Sequence, residues 1–160
     1  MKQIGQKGFS LVELLVVIAI IGIVAAIAIP QLQSYATNSR LKSAARDIMG
    51  DIFIYKERAV AENRQYRISF NVGANNYTID QCNTTGSSCA AYTVIQTKTP
   101  STFGNDITIT NAAFGANSAI SFQIRGTSEA GNVVLTNSRG STATITTNIT
   151  GRTSVQFNLQ

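Results

Sequence analysis

One apolar segment near the N-terminus constrains this chain more than any other feature. Residues 11–29 are almost entirely Leu, Val, Ile and Ala, and Glu13 is the only charged residue among these 19. As a helix, a segment of this length rises about 28 Å, which is close to the thickness of the hydrocarbon core of a bilayer. The segment is therefore long enough to cross a membrane once.

The residues before this segment predict its orientation. Residues 1–8 include Lys2 and Lys7 and no acidic side chain. Because the cytoplasmic flanks of membrane segments carry an excess of Lys and Arg, we expect the N-terminus to stay in the cytoplasm and the remainder to cross the membrane. The alternative is a secretory signal peptide that is cleaved after Ala28, which would release a secreted enzyme beginning at Ile29.

Glu13 needs a partner, because an acidic side chain in an apolar span costs about 2 to 3 kcal/mol. The apolar core of a signal peptide does not require a carboxylate near its start. Cleavage between Gly8 and Phe9 would create an α-amino group four residues before Glu13. The carboxylate would then pair with that amine within one helix turn, or with the terminus of a neighbouring chain. Either arrangement neutralises two charges in a low-dielectric setting.

Residues 7–14, Lys-Gly-Phe-Ser-Leu-Val-Glu-Leu, lead directly into the apolar span. They resemble the prepilin peptidase recognition sequence of type IV pilins and type II secretion pseudopilins. The resemblance implies cleavage between Gly8 and Phe9, N-methylation of Phe9, and docking of Glu13 to the adjacent subunit. Pro30 matches the proline that follows the apolar stretch in many pilins.

After Pro30, apolar residues recur every three to five positions as far as about Asn63, which predicts an amphipathic helix. Gly50 weakens this helix by about 1 kcal/mol relative to Ala without ending it. We expect the apolar stripe to pack against the strands that follow. Its members are Leu32, Ala36, Leu41, Ala45, Ile48, Ile52, Tyr55 and Ala59.

Beyond Asn63, short alternating runs separated by Gly and Asn predict β-strands. The first two, around 66–70 and 77–79, are expected to form a hairpin over the turn 73–76. Further strands are expected at 92–97, 107–110, 120–124, 133–136, 143–149 and 153–159. The predicted fold class is α+β: a long N-terminal helix, transmembrane in its first half, packed on a C-terminal antiparallel β-sheet domain, as in the pilin fold.

Four segments follow from these patterns. We expect a removable leader at 1–8, a transmembrane or filament-core helix at 9–29, and an amphipathic helix at 30–63 that continues into the globular domain. A β-rich periplasmic domain is expected at 64–160.

Two cysteines, Cys82 and Cys89, lie in a Thr-, Gly- and Ser-rich stretch that is typical of a loop. If this half lies outside the cytoplasm, we expect a local disulfide, with free thiols as the alternative. The chain has no His, and two thiolates are fewer than the four ligands of a usual zinc site, so no metal is predicted. The same lack of His excludes Ser-His-Asp and Cys-His catalysis, and we predict neither an enzyme nor a cofactor.

The C-terminal half is similar to the end of the GspH/FimT class of minor pilins and pseudopilins, through residues 120–122, 131–137 and 150–155. This resemblance implies a subunit at or near a filament tip that helps to start assembly. Some FimT-like members bind DNA through a Gly-Arg-x-Arg motif. Here Gly151 and Arg152 match, but Ser154 replaces the second arginine, which weakens the case for phosphate contacts.

The charge distribution also argues against a general nucleic-acid surface. The net charge is +5, part of which lies in the leader, and most other basic residues alternate with acidic ones between Arg40 and Arg67, as on a solvated helix face. Arg125, Arg139 and Arg152 are candidates for a basic face, with scattered surface charges as the alternative.

The sequence therefore predicts a minor pilin or pseudopilin that assembles through its N-terminal helix into a type IV pilus or a type II secretion pseudopilus. Its expected partners are other subunits, the prepilin peptidase, the inner-membrane assembly platform and the lipid bilayer. It is expected to reside in the inner membrane, with its C-terminal domain in the periplasm, before it enters the filament. The alternatives are a major pilin that forms the shaft, or a membrane-anchored DNA-binding or adhesive pilin.

Overall fold

The structure, a computed structural model, describes residues 9–115 and 117–160. The predicted leader at 1–8 and the cleavage residue Gly8 lie outside the described residues. The chain divides between Tyr35 and Ala36 into two compact units, which we describe separately.

The first unit contains the beginning of the single long helix, α1, which runs from Leu11 to Ala61. Pro30 lies inside α1 and does not interrupt it, although it has no backbone N–H to donate to the preceding turn. Nearly every side chain between Phe9 and Ile29 is exposed. Leu32 is also exposed, at 68%, so its predicted place in the core stripe was wrong.

The described residues of the second unit form the rest of α1, eight strands and a short 3-10 helix, Pro100–Thr102. The helix ends at Ala61, two residues before the predicted end, and Asn63 adopts a left-handed backbone with φ of 50°. Asn tolerates this conformation better than most residues, so it is suited to the exit from a helix. The strands are β1 (Arg64–Asn71), β2 (Asn76–Thr85), β3 (Tyr92–Lys98), β4 (Thr108–Phe114), β5 (Ala119–Phe122), β6 (Gly131–Thr136), β7 (Thr142–Thr147) and β8 (Thr153–Asn158).

These strands form two antiparallel four-stranded sheets rather than the one sheet that the sequence suggested. The first has the order β3-β2-β1-β5 and the second has the order β4-β6-β7-β8. The predicted hairpin is confirmed, because β1 pairs with β2 from Arg64 to Asn71. In the turn of this hairpin, Oδ1 of Asn71 accepts a hydrogen bond from the backbone N–H of Ala74 at 3.0 Å. Such local side-chain bonds favour turns.

One hydrophobic core joins α1 to both sheets within the second unit. Alternate residues of the strands point inward, as Tyr66, Ile68 and Phe70 do in β1. The helix contributes a buried stripe of Leu41, Ala44, Ala45, Ile48, Ile52, Tyr55 and Ala59. This packing of a helix on antiparallel sheets confirms the predicted α+β class.

Candidate functional site

The apolar surface of the first unit is the most unusual feature of the molecule. Phe9 is 78% exposed and Leu11 is 73% exposed, and the large apolar side chains from Val12 to Ile29 are exposed as well. By length and composition, α1 is the one helix among the described residues that is suited to crossing a membrane. Such a continuous apolar surface requires lipid or the apolar surfaces of other chains to cover it.

Glu13 lies at the start of this surface, in the first turn of α1. The N–H of Leu14 donates to the carbonyl of Ser10 at 3.2 Å, so helical hydrogen bonding begins just before Glu13. The positive end of the helix dipole favours a carboxylate here. Within the described residues Glu13 forms no ion pair. Phe9 comes four residues earlier in the chain. Glu13 is therefore an acidic side chain on an apolar surface that has no cationic partner among residues 9–115 and 117–160.

Cys82 and Cys89 form a disulfide, which confirms the pairing that the sequence predicted. Cys82 belongs to β2, and Cys89 lies in the connection to β3. The same connection is held against β1, since the Gln65 side-chain amide donates to the carbonyl of Ser87 at 2.6 Å. The disulfide therefore fixes an otherwise polar and exposed loop.

A partly buried polar network joins α1 to the first sheet. The ammonium of Lys98 is 2.7 Å from Oδ2 of Asp51 and 3.0 Å from Oδ2 of Asp47. The Tyr77 hydroxyl donates to Oδ2 of Asp51 at 2.8 Å. Burial lowers the pKa of Lys98, but hydrogen bonds to Asp51 and Asp47 outweigh this effect and raise it. This network was not predicted from the sequence, where its one local signal is the pair of carboxylates Asp47 and Asp51, one helical turn apart.

The three arginines proposed for a basic face do not converge. Arg139 lies in the turn before β7 and Arg152 in the turn after it, so the six residues of β7 separate them. A strand of that length spans about 20 Å. Arg125 lies in the turn that follows β5, close to the β7–β8 turn, because the N–H of Ser128 donates to the carbonyl of Ile149 at 3.1 Å. The structure therefore brings Arg125 to the same end of the second sheet as Arg152 and leaves Arg139 at the other end.

Family comparisons match nearly the whole chain in two segments. Residues 4–29 match the motif described as "Prokaryotic N-terminal methylation motif". Residues 44–151 match the family described as "Type II transport protein GspH". The first match covers the exposed apolar segment with Glu13, and the second covers most of the two-sheet unit.

Sequence relatives are similar to this chain over its N-terminal part. A "Fimbrial protein" of Pseudomonas aeruginosa is 43% identical over 60 residues, which are 38% of this chain and 38% of that protein. The "Type IV major fimbrial protein FimA" of Dichelobacter nodosus is 64% identical over 36 residues, which are 22% of this chain and 23% of FimA. The matched part thus spans well under half of these relatives' lengths.

Solved structures share the fold at low sequence identity. The minor pseudopilin EpsH from the Type 2 Secretion System of Vibrio cholerae aligns with a TM-score of 0.59 and 10% identity, over 74% of this chain and 97% of EpsH. The type IV minor pilin FimU of Pseudomonas aeruginosa aligns with a TM-score of 0.54 and 17% identity, over 76% of this chain and 92% of FimU. At these identities the likeness establishes the fold alone.

Proposed function

Because the chain belongs to the GspH family of type IV pilin-like and pseudopilin proteins, we propose that it is a minor pilin or pseudopilin that enters a filament through its N-terminal helix. The family is one of structural subunits rather than enzymes. Assembly with other subunits of the same kind is therefore its activity.

The observation that carries this proposal is the exposed apolar half of α1 with a single carboxylate near its beginning. Phe9, Leu11 and the residues as far as Ile29 offer their apolar side chains to the surroundings. Lipid covers such a surface while the subunit is stored, and the helices of other subunits cover it in a filament. The same apolar surface therefore contacts lipid in the membrane-bound subunit and other helices in the filament.

The mechanism that we propose begins with removal of the leader by the prepilin peptidase. Cleavage between Gly8 and Phe9, followed by N-methylation of Phe9, leaves a cationic amine at the new terminus. The Glu13 carboxylate of an incoming subunit pairs with the Phe9 amine of its neighbour, because an unpaired charge in an apolar surrounding is strongly unfavourable. This contact fixes the axial register of the two helices.

Before assembly, the subunit is proposed to span the inner membrane once. Its segment at 9–29 crosses the bilayer, and the segments at 30–63 and 64–160 lie in the periplasm, where an oxidising environment suits the Cys82–Cys89 disulfide. An assembly platform in the inner membrane then moves the subunit into the filament. Pro30, inside α1, has no backbone N–H to donate, so one helical hydrogen bond is lost and the helix can bend at that point.

A role in initiation or at the filament tip is the more specific part of the proposal. The fold likeness to the minor subunits EpsH and FimU favours it. A major subunit that forms the shaft is the second candidate, which the N-terminal similarity to a "Type IV major fimbrial protein" favours. The ratio of this chain to other subunits in sheared filaments distinguishes them, since a minor subunit is present in far fewer copies.

A membrane-anchored DNA-binding or adhesive pilin is the remaining alternative. The separation of Arg139 from Arg152 along β7 offers little support for a continuous phosphate-binding face. A gel shift of the full chain in detergent with DNA across salt concentrations tests it, and the absence of a shift at low salt eliminates it.

Substitution of Glu13 tests the assembly mechanism. We expect Glu13→Ala to reduce filament number and incorporation of the subunit, while Glu13→Asp retains part of both because the charge persists. The readouts are filament counts and immunoblots of sheared filaments. Mass spectrometry of the mature chain should find Phe9 at its N-terminus. Unchanged incorporation of the alanine variant, or a terminus at Ile29, would overturn the mechanism.

A further inference from the structure

A cleft rich in basic residues lies within the second unit, between α1 and the turn that joins β7 to β8. Its volume is about 500 Å³. That size accommodates one or two side chains of a bound segment. We call it the basic cleft, and its principal lining residues are Arg46, Met49, Phe53, Lys56, Gly151 and Arg152.

Helical spacing and one glycine shape the basic cleft. Arg46, Met49, Phe53 and Lys56 are three or four residues apart, so they share one face of α1. The stem of Lys56 crosses Gly151 so closely that a Cβ on this glycine would lie 2.8 Å from Cε of the lysine. The β7–β8 turn therefore lies close to the helix, and this places Arg152, the next residue, at the edge of the cleft.

In the part of the chain that the structure describes, the three cations of the basic cleft form no ion pair. Five of the eight acidic residues of the chain pair with other cations. None of these pairs involves Arg46, Lys56 or Arg152, and the lining itself contains no carboxylate. Without these three cations, residues 36–160 have eight basic and seven acidic side chains, so most of the net positive charge of this unit belongs to the cleft.

An apolar surface lies among these charges. Phe53 is 63% exposed, although it is a large aromatic side chain on the helix of the globular unit. Met49 beside it is partly buried. Aromatic side chains, Met and Arg are enriched at protein interfaces relative to the rest of the surface.

We propose that the basic cleft binds an acidic segment of a different subunit of the same filament, with a carboxylate against Arg46, Lys56 and Arg152 and an apolar side chain against Phe53. The inference rests on the proposed assembly function. It adds a second contact, in the globular unit, to the helix contact through Glu13. Charge complementarity at this contact selects the neighbouring subunit.

A second copy of the same chain is a poor occupant. Five of its acidic residues, among them Asp47, Asp51 and Asp80, are engaged in internal ion pairs. Glu57 follows Lys56 directly on the helix, and Glu129 already accepts a hydrogen bond from the backbone N–H of Ser121 at 3.2 Å. A different subunit that offers a free acidic segment therefore suits the cleft better.

A nucleic acid is likewise a poor occupant. A polyanion requires cations at repeated intervals along its backbone. Here three cations line one cleft and Arg125 lies at the same end of the second sheet. Arg139 lies at the far end of β7, and Ser154 stands where a further arginine would extend the charge. The cleft therefore suits a short acidic segment better than an extended strand.

A matched pair of charge reversals in the full chain tests the inference. Arg152→Glu changes a lining residue, while Arg139→Glu makes the same change at the other end of β7, and both arginines are exposed. We expect Arg152→Glu and Arg46→Glu each to reduce incorporation into sheared filaments about tenfold. Arg139→Glu should stay within about twofold of the unmodified chain.

A photo-crosslinking residue at Phe53, in cells, identifies the occupant. The expected adduct contains a peptide of another filament subunit with at least one Asp or Glu. Reversal of that acidic residue to Arg should restore incorporation of the Arg152→Glu variant. The same crosslinker at Val94, which is 55% exposed in β3 and does not line the cleft, is the control and should not give this adduct.

The outcomes separate this inference from the assembly function. If the unmodified chain is absent from filaments, the assembly function itself fails. Should it be present while Arg152→Glu and Arg139→Glu incorporate equally, only the docking role of the cleft is overturned. An adduct with DNA at Phe53, or a failed charge-swap rescue, also overturns it.

Discussion

At the scale of single residues, Gly151 decides how closely the β7–β8 turn approaches α1. Its φ is +71°, a left-handed conformation that side chains with a Cβ rarely adopt. Its missing Cβ also leaves room for two neighbours, since that atom would lie 2.8 Å from the carbonyl oxygen of Gly126 and 2.8 Å from Cε of Lys56. The residue thus satisfies a backbone requirement and a packing requirement together.

We expect Gly151→Ala to lower the free energy of unfolding by about 2 to 3 kcal/mol, the sum of backbone strain and overpacking. The control is Gly140→Ala, because Gly140 has a similar φ of +82° but a Cβ there would lie 4.0 Å from Oε1 of Gln160, an ordinary van der Waals distance. The control should lose about 1 kcal/mol from the backbone alone. Chemical denaturation of the full chain in detergent measures the free energy of unfolding of both variants. Equal losses of stability for the two would contradict the packing argument.

At the scale of secondary structure, the Lys98 network connects α1 to two strands of the first sheet. Asp51 is only 6% exposed, although it carries a carboxylate. Lys98 and Tyr77 both bond to it from neighbouring strands, β3 and β2. The burial of this acid is tolerated because each of its oxygens is engaged.

We expect Lys98→Ala to destabilise the domain by about 3 kcal/mol, because it leaves a buried carboxylate without its counter-ion. Arg58→Ala is the matched control, since it breaks an ion pair with Glu62 whose two side chains are 41% and 37% exposed. Exposed pairs contribute at most about 1 kcal/mol. The midpoint of urea denaturation measures both variants, and a similar small loss for each would show that Lys98 is not required.

Local sequence patterns predicted the helix and the strands, but not which strands pair with one another. Alternation in β1 revealed which residues face the core, yet it carried no information that Ile68 pairs with Ile120. The strands could therefore be predicted from the sequence, whereas their division into two sheets could not. Glu13 was singled out because its apolar neighbours are adjacent to it in the sequence, and its role in assembly stays a prediction. The bond of Lys98 to Asp51 joins residues 47 positions apart, and no local spacing indicates it.

At the scale of the whole molecule, buried tyrosines set the response to alkaline pH. Burial raises the pKa values of Tyr66, Tyr77 and Tyr92, and the hydrogen bonds to Asp51 and Asp47 raise that of Lys98 despite its burial. Each group keeps its proton more tightly in the folded chain than in the unfolded chain. Folding is thus most favoured below the unfolded pKa values, which are about 10.

We expect the melting temperature to fall progressively as pH rises above about 10, because the unfolded chain then releases protons that the folded chain retains. Tyr77→Phe removes one of these groups and should make the decline shallower, even if the variant is less stable at neutral pH. Thermal unfolding of the full chain in detergent between pH 8 and about pH 11.5 gives the slopes. Parallel slopes for the two proteins would contradict the assignment to Tyr77.

The two units also differ in what they need from their surroundings. Every buried apolar residue of the core lies at Leu41 or beyond, whereas the large apolar residues from Phe9 to Leu32 are exposed. The second unit, from Ala36 to Gln160, therefore contains the whole core and the disulfide. The first unit contributes apolar surface without contributing any of these buried residues.

A fragment of residues 36–160 should consequently be soluble without detergent and unfold cooperatively, whereas the full chain should require detergent. A shorter fragment of residues 49–160 is the control, because it lacks Leu41, Ala45 and Ile48, three residues with at most 1% exposure. Loss of such core side chains typically costs several kcal/mol in total, which is comparable with the stability of a small domain. Size-exclusion chromatography and thermal unfolding compare the two fragments. Aggregation of the longer fragment would mean that folding of the second unit depends on the apolar half of α1.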